Sequence, residues 1–113
     1  MADKDSPIVK EFLLESCENL SNISDEITQY EKSPDNMELL NSIYRKIHTL
    51  KGSASFLSLA KLQEVTHNAE TLLDYLREGK FSLNSEIIDV LLNSFDICSE
   101  IVGEIEKTGE EGD

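Results

Sequence analysis

Apolar side chains recur along this chain at helical spacing almost from one end to the other. The first run is Val9, Phe12, Leu13, Cys17, Leu20, Ile23, Ile27 and Tyr30. Steps of three and four keep these side chains on one face of a helix. Ser6-Pro7, just ahead, is a cap residue followed by proline at the first helical position. Ser33-Pro34-Asp35 ends the run. A second helix is predicted to start near Asp35, with Glu38 as the capping-box partner. Its stripe is Leu40, Ile43, Tyr44, Ile47, Leu50, Ala54 and Leu57. A third helix follows Ser58, with Leu62, Val65, Ala69, Leu72 and Leu76 on its inner face and Gly79 as its stop. Asn84 is placed to cap a fourth, whose stripe is Ile88, Leu91, Phe95, Cys98, Val102 and Ile105. There is no strand-like alternation and no internal repeat. Four amphipathic helices with short joints predict an all-α fold, an antiparallel up-down four-helix bundle.

Length fits that picture. A chain of 113 residues makes one domain, 1–113, with room for one core and little material for a deep catalytic cleft. The polar ends, residues 1–5 and 107–113, are expected to be flexible. Cys17 and Cys98 both fall in the apolar phase of a helix, so both read as small buried hydrophobes and not as a disulfide or zinc pair. No stretch approaches the roughly 20 apolar residues of a membrane span, and residues 1–5 do not read as a signal peptide. The expectation is a cytoplasmic domain, monomeric in isolation.

Charge narrows the partners. Lys and Arg number 10 against 23 Asp and Glu, a net charge of −13. Such a surface repels nucleic-acid backbones and anionic membranes, so neither is expected as a partner. Against that background, the stretch from Leu39 to Gln63 has no acidic residue at all, yet carries Arg45, Lys46, Lys51 and Lys61. It reads as a positive island suited to an anion.

His48 stands inside the island, one step off the apolar stripe. Its row along the helix is Asn41, Arg45, His48, Gly52 and Ser55, all polar or small. Glycine inside a helix costs about 1 kcal/mol relative to alanine, so Gly52 wants a local reason. One turn beyond His48, it leaves the imidazole uncovered. Lys51, at i+3, can offset the charge of an anion carried by His48. An exposed, neutral imidazole is a competent nucleophile near neutral pH. On the third helix His67 and Glu70 share a face, which Asp74 continues. If the second and third helices pack antiparallel, a carboxylate from this edge could hold one imidazole nitrogen and leave the other reactive. Two further readings are compatible with the pattern. One is a helical adaptor without phosphochemistry. The other is a metal site of His48, His67, Glu70 and Asp74, although Lys51 would repel the cation and the Glu-x-x-His order usual in such bundles is absent. No glycine-rich phosphate loop for ATP occurs, so the chain is not expected to be an enzyme by itself.

The segment His48-Thr49-Leu50-Lys51-Gly52-Ser53-Ala54 resembles the H-x-x-K-G-[SGA]-[SA] signature of histidine-containing phosphotransfer (HPt) domains, and among them the N-terminal domain of CheA-type chemotaxis kinases. The likeness continues through Leu62-Gln63-Glu64-Val65-Thr66-His67 and Glu70-Thr71-Leu72-Leu73-Asp74. It resumes at Leu83-Asn84 and Ile87-Ile88-Asp89. The resemblance implies a phosphorelay carrier in two-component signalling. His48 would accept a phosphoryl group from the ATP-binding domain of a kinase and pass it to an aspartate on a response-regulator receiver domain. Glu70 would hold the imidazole, Lys51 and His67 would shape the site, and the reacting nitrogen would be the one farther from the backbone. It implies no cofactor and no resident metal, magnesium being supplied by the partners. Ser55 and Ser58 depart from the family, standing where glycine is frequent. CheA-type domains often carry a fifth helix after the bundle; the chain ends too early to show one, as expected of a domain excised from a longer kinase, with a stand-alone HPt protein as the alternative.

Overall fold

Each helix starts where the chain can satisfy its first free amide groups. The structure, a computed structural model, describes residues 5–112. Helix α1 (Pro7–Lys32) opens with Ser6, whose hydroxyl accepts from the Val9 amide at 3.2 Å. Helix α2 (Met37–Phe56) is capped by Asn36, whose side-chain oxygen accepts from the Leu39 amide at 3.2 Å. The cap is therefore Asn36 and not Asp35: both side chains can cap, and the turn through Pro34 delivers the later one. Helix α4 (Ser85–Thr108) is capped by Asn84 through the Ile87 amide at 2.9 Å.

Helix α3 (Ala60–Arg77) follows Leu59, which has no side chain able to cap. Its acceptor comes from the other end of the chain: Glu111 takes the Leu62 amide at 2.7 Å, and Lys61 donates to the Gly112 carbonyl. Gly109, in the left-handed region at φ 82°, turns the chain back for this contact. Helix α4 runs to Thr108 and residues 109–112 lie against the start of α3, where an uncapped helix end offers the tail's carboxylate unsatisfied amides. Residues 1–4 and 113 lie outside the described residues.

The α2–α3 joint puts Ser58 in a strained backbone conformation. The Leu59 amide donates to the Ala54 carbonyl at 2.8 Å and the Ser58 amide to Ser55 at 3.2 Å, a Schellman motif with Ser58 at its left-handed position, φ 58°. Glycine enters that region freely and serine does not.

The helices neighbour one another in the order α1, α2, α3, α4 and back to α1, and α2 with α3 forms the broadest interface. That ring is the expected antiparallel four-helix bundle. Its long dimension, 42 Å, is set by α1, since 26 residues span about 39 Å at the α-helical rise. Ile23, Ile27, Leu40, Ile43, Ile47, Leu50, Leu62, Leu73, Leu91 and Ile105 fill the centre and are essentially inaccessible. Two inner faces are rotated slightly from the sequence stripes. On α1, Ser16 is buried and Cys17 is exposed, so Cys17 is not a core thiol. Adjacent residues differ by about 100° around a helix, and serine's small side chain fits the seam. On α3, Leu73 is buried where Leu72 is half-buried, and Thr66 enters the core by donating its hydroxyl to the Leu62 carbonyl at 2.7 Å. Cys98 is buried as expected.

Candidate functional site

The broad α2–α3 interface brings two polar edges together. His48 projects from α2 one step outside the buried row of Ile43, Ile47 and Leu50, and its side chain is 61% exposed. Glu70 projects from α3 between Ala69 and Leu73, with its side chain only 10% exposed. One carboxylate oxygen of Glu70 lies 2.7 Å from His48 Nδ1, and the other accepts from Lys51 Nζ, also at 2.7 Å. A buried carboxylate needs such partners, since an unpaired one would be costly. Burial alone pushes the Glu70 carboxyl pKa upward. The hydrogen bonds and charges of Lys51 and His48 outweigh it and hold the group below its ordinary range. Glu70 is therefore ionised at neutral pH. A carboxylate can only accept, so Nδ1 carries the hydrogen and the lone pair of the neutral ring sits on Nε2, on the exposed side.

The ring has a second neighbour. Tyr44, one turn earlier on α2, lies nearly parallel to it, with centroids 5.9 Å apart and an interplanar angle of 11°. The Arg77 guanidinium covers Tyr44 at 4.0 Å from its centroid. Arg77 is fixed in turn, donating to Asn41 Oδ1 on α2 and to Asp74 Oδ1 on its own helix, each at 3.0 Å. Asp74 thus lies on the polar edge beside α2, as expected, but serves Arg77 and not the imidazole. Helical spacing puts Tyr44 in the core stripe, and nothing in the sequence singles out Arg77. An aromatic residue at i−4 from the histidine was the available signal.

The other predicted residues are more loosely associated. His67 is exposed and lines a shallow depression with Lys51, Ala60, Gln63 and Glu64, outside the hydrogen-bonded group around Glu70. Gly52 is exposed, and a Cβ built there would meet nothing within 4 Å, so packing inside the domain does not require glycine. The positive island is smaller than its sequence suggested. Lys46 pairs with Glu26 of α1 at 2.8 Å, Lys51 pairs with Glu70, and Lys61 is taken by the tail. Neighbouring helices supply the carboxylates that this stretch lacks. Among the described residues, no three His, Cys, Asp or Glu side chains converge as metal ligands would, and both Glu70 oxygens are already engaged, one by His48 Nδ1 and the other by the Lys51 ammonium.

Comparison with known proteins agrees with this geometry. The model of the Hpt domain family matches residues 7–107. The sensor histidine kinase CheAY of Helicobacter pylori is 36% identical over 104 residues, covering 92% of this chain and 13% of that protein. The chemotaxis protein CheA of Borreliella burgdorferi is 37% identical over 89 residues, covering 78% of this chain and 10% of that protein. This chain thus spans about a tenth of the length of such relatives. The CheA phosphotransferase domain from Thermotoga maritima superposes with a TM-score of 0.83 at 30% identity, covering 88% of this chain and 97% of that one. The four-helix ring, the exposed imidazole held from a neighbouring helix and a family match over most of the chain lead to one assignment: the chain belongs to the Hpt domain family, whose members are phosphocarrier modules and not catalysts.

Proposed function

We propose that this domain carries phosphoryl groups in a chemotaxis-type two-component system and that His48 Nε2 is the atom that bears them. The observation that carries the reading is the Nδ1–Glu70 hydrogen bond, which leaves the nucleophilic nitrogen on the exposed side of the ring. The Nε2 lone pair attacks the γ-phosphorus of ATP held by the ATP-binding domain of a CheA-type kinase. The N–P bond forms, the bond to the β-phosphate oxygen breaks, and ADP leaves. The ring becomes cationic as the bond forms, and the Glu70 carboxylate at Nδ1–H stabilises that charge. An aspartate of a receiver domain then attacks the phosphorus, and the N–P bond electrons return to Nε2. Lys51 acts through Glu70, keeping it ionised. His67 borders the approach, and Gly52 keeps it clear for a partner. Magnesium and the catalytic groups belong to the partner domains. The domain acts as a monomer in the cytoplasm.

The test is incubation with labelled ATP and a CheA-type ATP-binding domain, with His48→Gln alongside. Acid-labile label on the parent alone is expected, with helical content equal in both proteins. Label retained by His48→Gln, or none on the parent beside a kinase proven active on another HPt domain and a second from the same genome, would turn the reading toward a helical adaptor.

A further inference from the structure

Glu70 holds the imidazole by one edge atom, and a ring held at one atom can still swing about that hydrogen bond. The second constraint is the chain Asp74/Asn41–Arg77–Tyr44–His48. We infer that Tyr44, clamped by Arg77, is a positioning residue for the His48 ring, setting its plane and so the direction in which Nε2 presents its lone pair. The inference rests on the phosphoacceptor reading of His48.

The geometry supports it in three ways. An interplanar angle of 11° at 5.9 Å is an offset-parallel arrangement, inside the range that aromatic rings favour. Tyr44 is itself half-buried, and the guanidinium 4.0 Å from its centroid fixes it further. Arg77 brings two hydrogen bonds, one to each helix, so the clamp ties the α2 turn bearing Tyr44 to the end of α3. Glu70, one further turn along each helix, ties the next pair of turns. The imidazole is thus bounded by an edge contact from α3 and a face contact from its own helix. The open side is left for a partner.

The test uses a small phosphodonor, phosphoramidate, so that no partner surface enters the rate. From it the phosphoryl group passes to Nε2 and ammonia leaves. The second readout is the nitrogen NMR spectrum of the His48 imidazole. Tyr44→Leu keeps apolar bulk and removes the ring. It is expected to slow phosphoryl uptake about threefold to tenfold, the value of one aromatic pair, and to broaden or shift the ring nitrogen signals. Tyr44→Phe is expected to restore both. Arg77→Gln should reproduce part of the loss and Arg77→Lys recover part of it. Parent rates and parent spectra in Tyr44→Leu and Arg77→Gln overturn the inference. So does Tyr44→Phe behaving like Tyr44→Leu, which would assign the effect to the hydroxyl or to packing. If Tyr44→Leu loses its helical signal, the Arg77 pair decides. If the parent takes up no phosphoryl at His48, the phosphoacceptor reading fails, while the nitrogen spectra still decide whether Tyr44 positions the ring.

Discussion

Replacing Glu70 with alanine tests the site at its centre. The substitution removes one charge-assisted hydrogen bond to Nδ1 and one to Lys51, both at 2.7 Å. Only the first bears on the nucleophile. Hydrogen bonds to charged groups are worth about 1.5–3 kcal/mol. If that full amount is expressed as charge builds on the ring, phosphoryl uptake slows by about 10- to 150-fold. Glu70→Gln keeps an acceptor oxygen but not the charge, and should fall at the mild end. The loss should appear in kcat and not in KM, because Glu70 is buried beneath the imidazole and a docking kinase would not touch it. The assay is the initial rate of acid-labile labelling at several concentrations of the domain, with a fixed amount of a CheA-type ATP-binding domain. A parent rate for Glu70→Ala refutes the reasoning. A raised KM with unchanged kcat refutes it differently, placing Glu70 in docking.

Five other outcomes are expected. Because the folded-state carboxyl pKa of Glu70 lies below its ordinary value of 4.5, its contribution to stability is complete above that value and is lost as pH falls through the lowered one. The melting temperatures of the parent and Glu70→Gln should therefore keep a constant gap from neutral pH to the ordinary carboxyl range and converge in stronger acid. A gap that closes near neutrality contradicts this. Ser58→Gly should stabilise the domain by about 0.5–1 kcal/mol, the left-handed strain relieved less the added freedom of the unfolded chain; urea melts showing destabilisation would reject the strain. Gly52→Ala should raise stability by up to about 1 kcal/mol, since a Cβ there meets open space. Gly52→Leu should impair transfer from the kinase domain but not from phosphoramidate, and equal kinase rates would end the access explanation. A thiol reagent should label exposed Cys17 and spare Cys98, whose thiol pKa burial pushes up to about 12. Its reaction with both cysteines at equal rates in the folded protein contradicts the placement of α1 or of α4.

Signals that act within one or two helical turns were legible in the sequence. The Ser6 and Asn84 caps, the Gly79 stop, and the grouping of His48, Lys51 and Gly52 all depend on residues three or four apart. Antiparallel packing of two polar edges left Glu70 and Asp74 both open as the carboxylate beside His48, and the resemblance to HPt domains pointed to Glu70. The differences lie where two neighbouring residues compete for one role, as Asp35 and Asn36 do for a cap and Ser16 and Cys17 for a seam. They lie also where the partner comes from another helix. Arg45, Lys46, Lys51 and Lys61 look like a cluster of free charge until Glu26 and Glu70 are brought beside two of them. Tyr44 looks like core until Arg77 is seen above it.

The borrowed cap of α3 bears on the order in which the domain assembles. Ser6, Asn36 and Asn84 each cap with an amide three residues away, and such a contact closes as soon as the first turn forms. Glu111 reaches the Leu62 amide across a separation of 49 residues, and a loop of that length must first pay its closure entropy. The first turn of α3 thus acquires its acceptor only after α4 has docked and Gly109 has turned the chain. This turn is the element for which slow hydrogen exchange would depend on the chain's last residues, while the other three helix starts would hold their protection without them.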